Sequence, residues 1–173
     1  GKQNPSEAPV PVHPDFEHTV QCCLVAGETE ALNFLWRESG RDPGKTTVNL
    51  STMVMDKEAI TALVKHCADQ KGLTVNLSLR PDDVDVIREV SALIAEGKVN
   101  SLSLYQLSAG QLEQLAPVLG AVGAELAICS SDISERCEQQ LARSLAQSES
   151  LRKLVFSQCT FGNAQGKHFV AGM

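Results

Sequence analysis

The chemically densest stretch of the chain is GRDPGKTT, Gly40 to Thr47, which contains the Gly-Lys-Thr of a phosphate-binding loop. Such a loop needs a glycine five residues before Gly44, and that position is Ser39. It also needs a strand before it and a helix after it, so that backbone N–H groups at a helix N-terminus face the phosphate. Here a helical pattern precedes and the strand-like Val48 to Leu50 follows, so the run reads as a helix-to-strand loop. The four histidines, His13, His18, His66 and His168, form no HxxxH or HExxH arrangement. Zinc requires three or four convergent ligands. His66 and Cys67 are neighbours, but adjacent helical side chains diverge by about 100°. None of the six cysteines, Cys22, Cys23, Cys67, Cys129, Cys137 and Cys159, belongs to a CxxC pair, and Cys159 stands at a repeat turn position where packing accounts for it without a base. A thiol without a base is a poor nucleophile. The carboxylates Glu28, Glu30, Asp82, Asp83, Asp85, Glu135 and Glu138 are spread along helix starts, where they read as a solvated acidic face rather than the acid and base of one cleft. The residues therefore point to no enzyme, no metal and no cofactor.

The elements that would carry these residues repeat. Aligning on "apolar, x, apolar" places strand starts near 17, 45, 72, 99, 123 and 151, so that the successive intervals, by subtraction, are 28, 27, 27, 24 and 28. The dyads are Val20/Cys22, Val48/Leu50, Val75/Leu77, Leu102/Leu104, Leu126/Ile128 and Leu154/Phe156. Between them, Leu32/Leu35, Ile60/Leu63/Val64, Ile87/Val90/Ile94, Leu112/Leu115/Leu119 and Leu141/Leu145 recur at three and four residues, each the stripe of a helix buried on one side. Strands separated by helices are expected to lie parallel. Ser108 with Gln111 fits a capping box, and Gly40, Gly72 and Gly97 stand at or just past helix ends. The interval of 24 demands a tighter helix or loop between Val99 and Val122.

The last unit is the most regular. From Leu151 to Phe161, LRKLVFSQCTF, apolar residues stand at positions 1, 4 and 6, followed by Cys159 at 9 and Phe161 at 11, which is the leucine-rich-repeat pattern. Ile133, Leu141 and Leu145 recur 28 residues later as Phe161, Phe169 and Met173. The chain resembles the ribonuclease-inhibitor-like branch of leucine-rich-repeat proteins over residues 17–173. It departs from that family at position 9, where Val25, Met53, Arg80, Leu107, Ser131 and Cys159 stand and Asn is absent. The resemblance implies an α/β fold, a right-handed solenoid with parallel strands on the concave face and helices on the convex face. Some bacterial effectors that act on host cells, and some immune receptors, look like this. The Ala-, Gln- and Ser-rich helices favour the bacterial kind, whose compartment would be the host cytoplasm.

Residues 1–16 carry Pro5, Pro9, Pro11 and Pro14 and no periodic pattern, so an extended linker is expected there, with Phe16 covering the end of the apolar stack. The linker, and an end at Met173 inside a repeat's helix, point to further chain. A net charge of −6 argues against nucleic acid as a partner. No apolar run reaches a bilayer-spanning length of about 20 residues, and no secretory layout opens the chain. Cysteines at repeat positions read as small apolar fillers in a reducing cytoplasm.

What remains is the face that alternation turns outward. Its central row reads Gln21, Asn49, Asn76, Ser103, Ala127 and Val155; the row after it Cys23, Ser51, Ser78, Tyr105, Cys129 and Ser157; the row before it Thr19, Thr47, Thr74, Ser101, Glu125 and Lys153. The expected function is a non-enzymatic module that binds a partner protein there, through Asn49, Ser51, Asn76, Ser78, Ser103, Lys153 and Ser157 around an aromatic anchor, Tyr105. Two alternatives stand beside it. One is the substrate-recruiting domain of a larger bacterial effector or ubiquitin-ligase-type enzyme, and the other is a homo-oligomer formed through exposed end repeats.

Overall fold

Alternation of apolar and small polar residues makes short strands here, and a stripe every three or four residues makes the helices between them. A computed structural model of the chain describes residues 14–42, 45–51, 56–69, 72–80 and 84–162. Two helices open it, α1 (Pro14–Ala26) and α2 (Thr29–Ser39). Then follow β1 (Thr47–Asn49), α3 (Lys57–Asp69), β2 (Thr74–Leu79), α4 (Val84–Ala95), β3 (Val99–Tyr105) and α5 (Ala109–Leu115). A 3₁₀ turn over Ala116–Ala121 leads to β4 (Glu125–Cys129), β5 (Asp132–Ile133), α6 (Glu135–Ala146), β6 (Lys153–Ser157) and β7 (Thr160–Phe161). The fold is mixed α/β. Its main sheet has five strands in the order β1-β2-β3-β4-β6, every neighbouring pair parallel, and β5 pairs with β7 beside it.

One face of the sheet meets the helices and holds the core. Val48, Leu50, Val75, Leu77, Leu79, Leu102, Leu104, Leu126 and Ile128 point into it against Ile60, Leu63, Ile87, Val90, Ile94, Leu112, Leu115 and Leu141, all buried. The expected helical stripes thus face the core, with Leu35, Val64 and Leu145 only partly buried at its margin. Helix ends follow the expected chemistry as well. Ser108 and Gln111 form the reciprocal capping box of α5, and Ser134 caps α6 by accepting from the Cys137 amide at 3.1 Å. Gly40, Gly72 and Gly97 all adopt positive φ, the left-handed conformation that costs glycine nothing. The 24-residue interval is accommodated by a seven-residue α5 that tightens into the 3₁₀ turn. There Gly120 lies so close to α6 that a Cβ would stand 2.8 Å from the Ser144 carbonyl carbon, while its amide donates to Ser144 Oγ at 2.8 Å.

The loops after β3, β4 and β6 repeat one device without an Asn ladder. Gln106, Ser130 and Gln158 take φ of 59°, 50° and 54° at equivalent turn positions. Ser131 Oγ accepts the Leu107 amide at 3.1 Å and donates to the Cys129 carbonyl at 2.9 Å. Cys159 Sγ donates to the Ile128 carbonyl at 3.1 Å. A hydroxyl and a thiol, 28 residues apart, thus each bond a backbone group of the preceding strand-and-loop segment.

Three expectations are corrected. The first dyad, Val20/Cys22, is not in a strand: residues 14–26 are helical, and Phe16, Val20 and Leu24, four apart, form its inner stripe. Pro14, with φ already fixed near helical values, suits a first turn. The start of the expected linker, residues 1–13, lies outside the described residues, whereas Phe16 sits within α1. The second correction is register. Leu77 and Leu79, not Val75 and Leu77, stand beside Leu102 and Leu104, because an extra residue near Asn100 bulges β3 between the Val75/Val99 and Asn76/Ser101 pairs. The third concerns Glu138, which is fully buried on α6 rather than on a solvated face. The turn at Met53, the acidic stretch at Asp82 and Asp83, and Phe169 and Met173 fall outside the described residues.

The two ends of the main sheet differ. At β1, helix α1 takes the place of a further strand: Gln21 Nε2 donates to the Asn49 carbonyl at 2.7 Å, and Glu17 Oε1 accepts the Asn49 amide at 3.4 Å. Phe16 packs edge-on against Trp36 at 5.8 Å, as expected of a cover for that end, with the Arg41 guanidinium 4.4 Å above its ring. Trp36 is buried and donates from Nε1 to His66 Nε2 at 3.0 Å, so His66 is a core residue whose ring lies nearly parallel to the indole and meets it edge to edge. At the other end, Leu154, Phe156 and Phe161 are only half-buried, although Leu126, Ile128 and Ile133, which they follow in register, are buried.

Candidate functional site

The outward face of the main sheet is built by the same alternation that fills the core. Burial along β2 runs half-buried, buried, half-buried through all six residues, so Thr74, Asn76 and Ser78 face away from the helices. The register sets three rows across the sheet. The first reads Asn49, Asn76, Ser101, Glu125 and Lys153; the second Ser78, Ser103, Ala127 and Val155; the third Tyr105, Cys129 and Ser157. The register shift places Asn76 beside Ser101 and Ser78 beside Ser103, one row away from the alignment expected from the dyads.

The predicted residues fall into distinct circumstances. Asn49 and Ser51 are tied to each other: Ser51 donates to Asn49 Oδ1 from its amide at 3.1 Å and from its hydroxyl at 2.6 Å. Asn76 accepts from Asn100 Nδ2 at 3.2 Å, a cross-strand pair at the bulge. Ser78, Ser103 and Tyr105 are half-buried on neighbouring strands, whereas Lys153 and Ser157 are exposed on β6. Ser78 and Ser103 fall in the second row, Tyr105 and Ser157 in the third, and Asn49, Asn76 and Lys153 in the first. Ser51 follows the end of β1.

Sequence reasoning missed Arg80. Its guanidinium lies 5.6 Å from the centroid of the Tyr105 ring and braces the aromatic from the β2 side. Such a contact at an exposed site contributes roughly 0.5–1 kcal/mol. Read as a turn position that departs from the repeat, Arg80 gave no sign of this, because the signal lies in the shifted register. Around the pair the side chains are small: Ser103, Ala127 and Cys129 are half-buried, and Val155, 37 % exposed, is with Phe34 one of two exposed large apolar side chains among the described residues. The Cys129 thiol is pushed up by burial and, secondarily, by Cys159, so it stays neutral at physiological pH.

A cleft of about 270 Å³ lies elsewhere, between α1 and the start of β1, and is lined by Phe16, Val20, Val48, Arg41 and Lys45 among others. None of the predicted site residues lines it. Gly40 ends α2 and Thr47 opens β1, so the GRDPGKTT run joins a helix to a strand, in the order opposite to that of a phosphate loop. Among the described residues no group of three or more His, Cys, Asp or Glu converges on a point that could hold a metal, and no helix is long and apolar enough to cross a membrane. Burial raises the Cys67 thiol to about 11 and the Cys137 thiol to about 12. Comparison with protein-family models and with curated proteins finds no match to this chain.

Proposed function

We propose that this chain is a leucine-rich-repeat-type module that binds a partner protein on the outward face of its parallel sheet, in a reducing, cytoplasmic setting. Strictly sequential strand order with a helix between successive strands supports the repeat reading, as does the recurrent left-handed turn after β3, β4 and β6. One observation carries the functional half: a single tyrosine, held in place by Arg80, stands on a platform of Ser, Ala and Cys side chains. Interfaces favour this composition, because a rigid amphipathic aromatic loses little entropy on binding and its small neighbours let a partner approach closely.

The test uses the full chain as bait and measures affinity for the protein it captures. Tyr105→Ala is expected to fold like the parent and to weaken binding by about 1–2 kcal/mol, five- to thirtyfold in Kd. Arg80→Ala is expected to act in the same direction with a smaller effect. Unchanged affinity in both variants moves the interface off this face.

A further inference from the structure

We infer that the β6 edge is a self-association surface, through which two copies of the chain pair antiparallel about a two-fold axis at Val155. The two ends of the main sheet are unequal. At β1, α1 already occupies the backbone groups of Asn49 through Gln21 and Glu17. β6 is the last strand of the sheet among the described residues. A parallel, head-to-tail stack would have to seat β6 of one copy on β1 of the next, which α1 obstructs. Pairing of β6 with its own mate remains, and that is the closed two-fold arrangement.

The residues of β6 suit that register and reject its neighbours. With the axis at Val155, Leu154 faces Phe156 of the second copy on the core side. Lys153 faces Ser157, Arg152 faces Gln158, and the two valines meet on the outward side. Directly opposed side chains lie about 5 Å apart, the distance at which cross-strand pairs stabilise or repel. The two Lys153 ammonium groups are then four residues apart along the strands, about 13 Å, beyond the reach of unscreened repulsion. An axis at Lys153 opposes lysine to lysine. An axis at Leu154 sets Arg152 against Phe156. Only the Val155 register places apolar against apolar and polar against polar throughout. It also joins the half-buried Leu154 and Phe156 of each copy into one core, bringing them toward the burial of Leu126 and Ile128, their counterparts on β4. A strand that ends the sheet among the described residues, and that alternates as β6 does, is a template for such addition.

Light scattering and sedimentation of the full chain over a wide concentration range should show reversible passage from 18.6 kDa to twice that mass. Val155→Lys and Val155→Glu should each stay monomeric with unaltered circular dichroism, because like charges then meet on the axis. Their equimolar mixture should recover the doubled mass. Tyr105→Ala should dimerise like the parent, which separates this edge from the binding face. Amide exchange on the unmodified chain gives a second readout: protection of residues 153–157 should rise with concentration. A parent that stays monomeric throughout, a Val155→Lys protein that still dimerises, a mixture that does not reassociate, or concentration-independent exchange at β6 each overturns the inference.

Discussion

At the scale of single residues, the cysteines divide by what surrounds them. Cys22 is exposed on α1, with its sulfur 3.5 Å from His18 Nε2, whereas Cys67 and Cys137 are fully buried. A colorimetric thiol reagent is expected to modify Cys22 first in the folded protein and to reach Cys67 and Cys137 only on unfolding. In denaturant without reductant all six should titrate; a lower count would reveal disulfides. Alkaline pH provides a further check. Below the ordinary thiol value of 9.0, Cys67 and Cys137 are protonated in both folded and unfolded chains, so their burial is not penalised. Above it the unfolded chain releases both protons while the folded chain holds them to about 11 and about 12, so the unfolded state is favoured progressively. Stability should fall by up to about 1.4 kcal/mol per pH unit per thiol across that window, measured by urea denaturation against pH, and Cys137→Ala should flatten the upper part of the slope. Trp36→Phe removes the donor to buried His66 and should cost about 1–3 kcal/mol. Tyr105 was legible in the sequence because alternation alone turns it outward. Arg80 and buried Glu138 were not, since each depends on which side chains a neighbouring unit brings close.

At the scale of elements, the helical stripes and the caps were readable because they arise within a few residues. The initial helix was misread for the same reason: Val20 and Cys22 match a strand dyad, and Phe16, Val20 and Leu24 match a helical stripe equally well. Only the neighbour decides, here by burying the second set against α2 and α3. Register was likewise missed by aligning the dyads, because a single inserted residue in β3, where Asn100 and Ser101 interrupt the alternation, shifts the pairing with β2. The packing between elements makes a matched pair of glycine substitutions informative. Gly120→Ala drives a methyl group into the Ser144 backbone of α6 and should destabilise by roughly 2–4 kcal/mol. Gly110, in the first turn of α5, has open space where its Cβ would be, and Gly110→Ala should stabilise by roughly 0.5–1 kcal/mol. Thermal melts of the two variants, expected to move in opposite directions, check the placement of the 3₁₀ turn against α6.

At the scale of the whole molecule, burial is graded along the sheet. β2, β3 and β4 send fully buried side chains into the core, while the inner residues of β6 stay half-buried. Hydrogen exchange in dilute solution should therefore find the slowest amides in β3 and β4 and faster ones in β6, because opening costs scale with the apolar contacts that must part. Uniform protection across the five strands would contradict this grading. The parallel α/β architecture was legible because its interval is written into the chain repeatedly, whereas at the covered end only Phe16 was legible and its helix was not, since residues 17–22 keep the interval and match a strand dyad. The sequential strand order has a consequence for biogenesis. Each strand finds its sheet neighbour in the segment made just before it, so no part of the main sheet has to wait for a distant stretch still to be translated. Helix α1 is translated before β1 and can seat that strand as soon as it appears, so the elements of the sheet can order themselves one after another while later ones are unfinished.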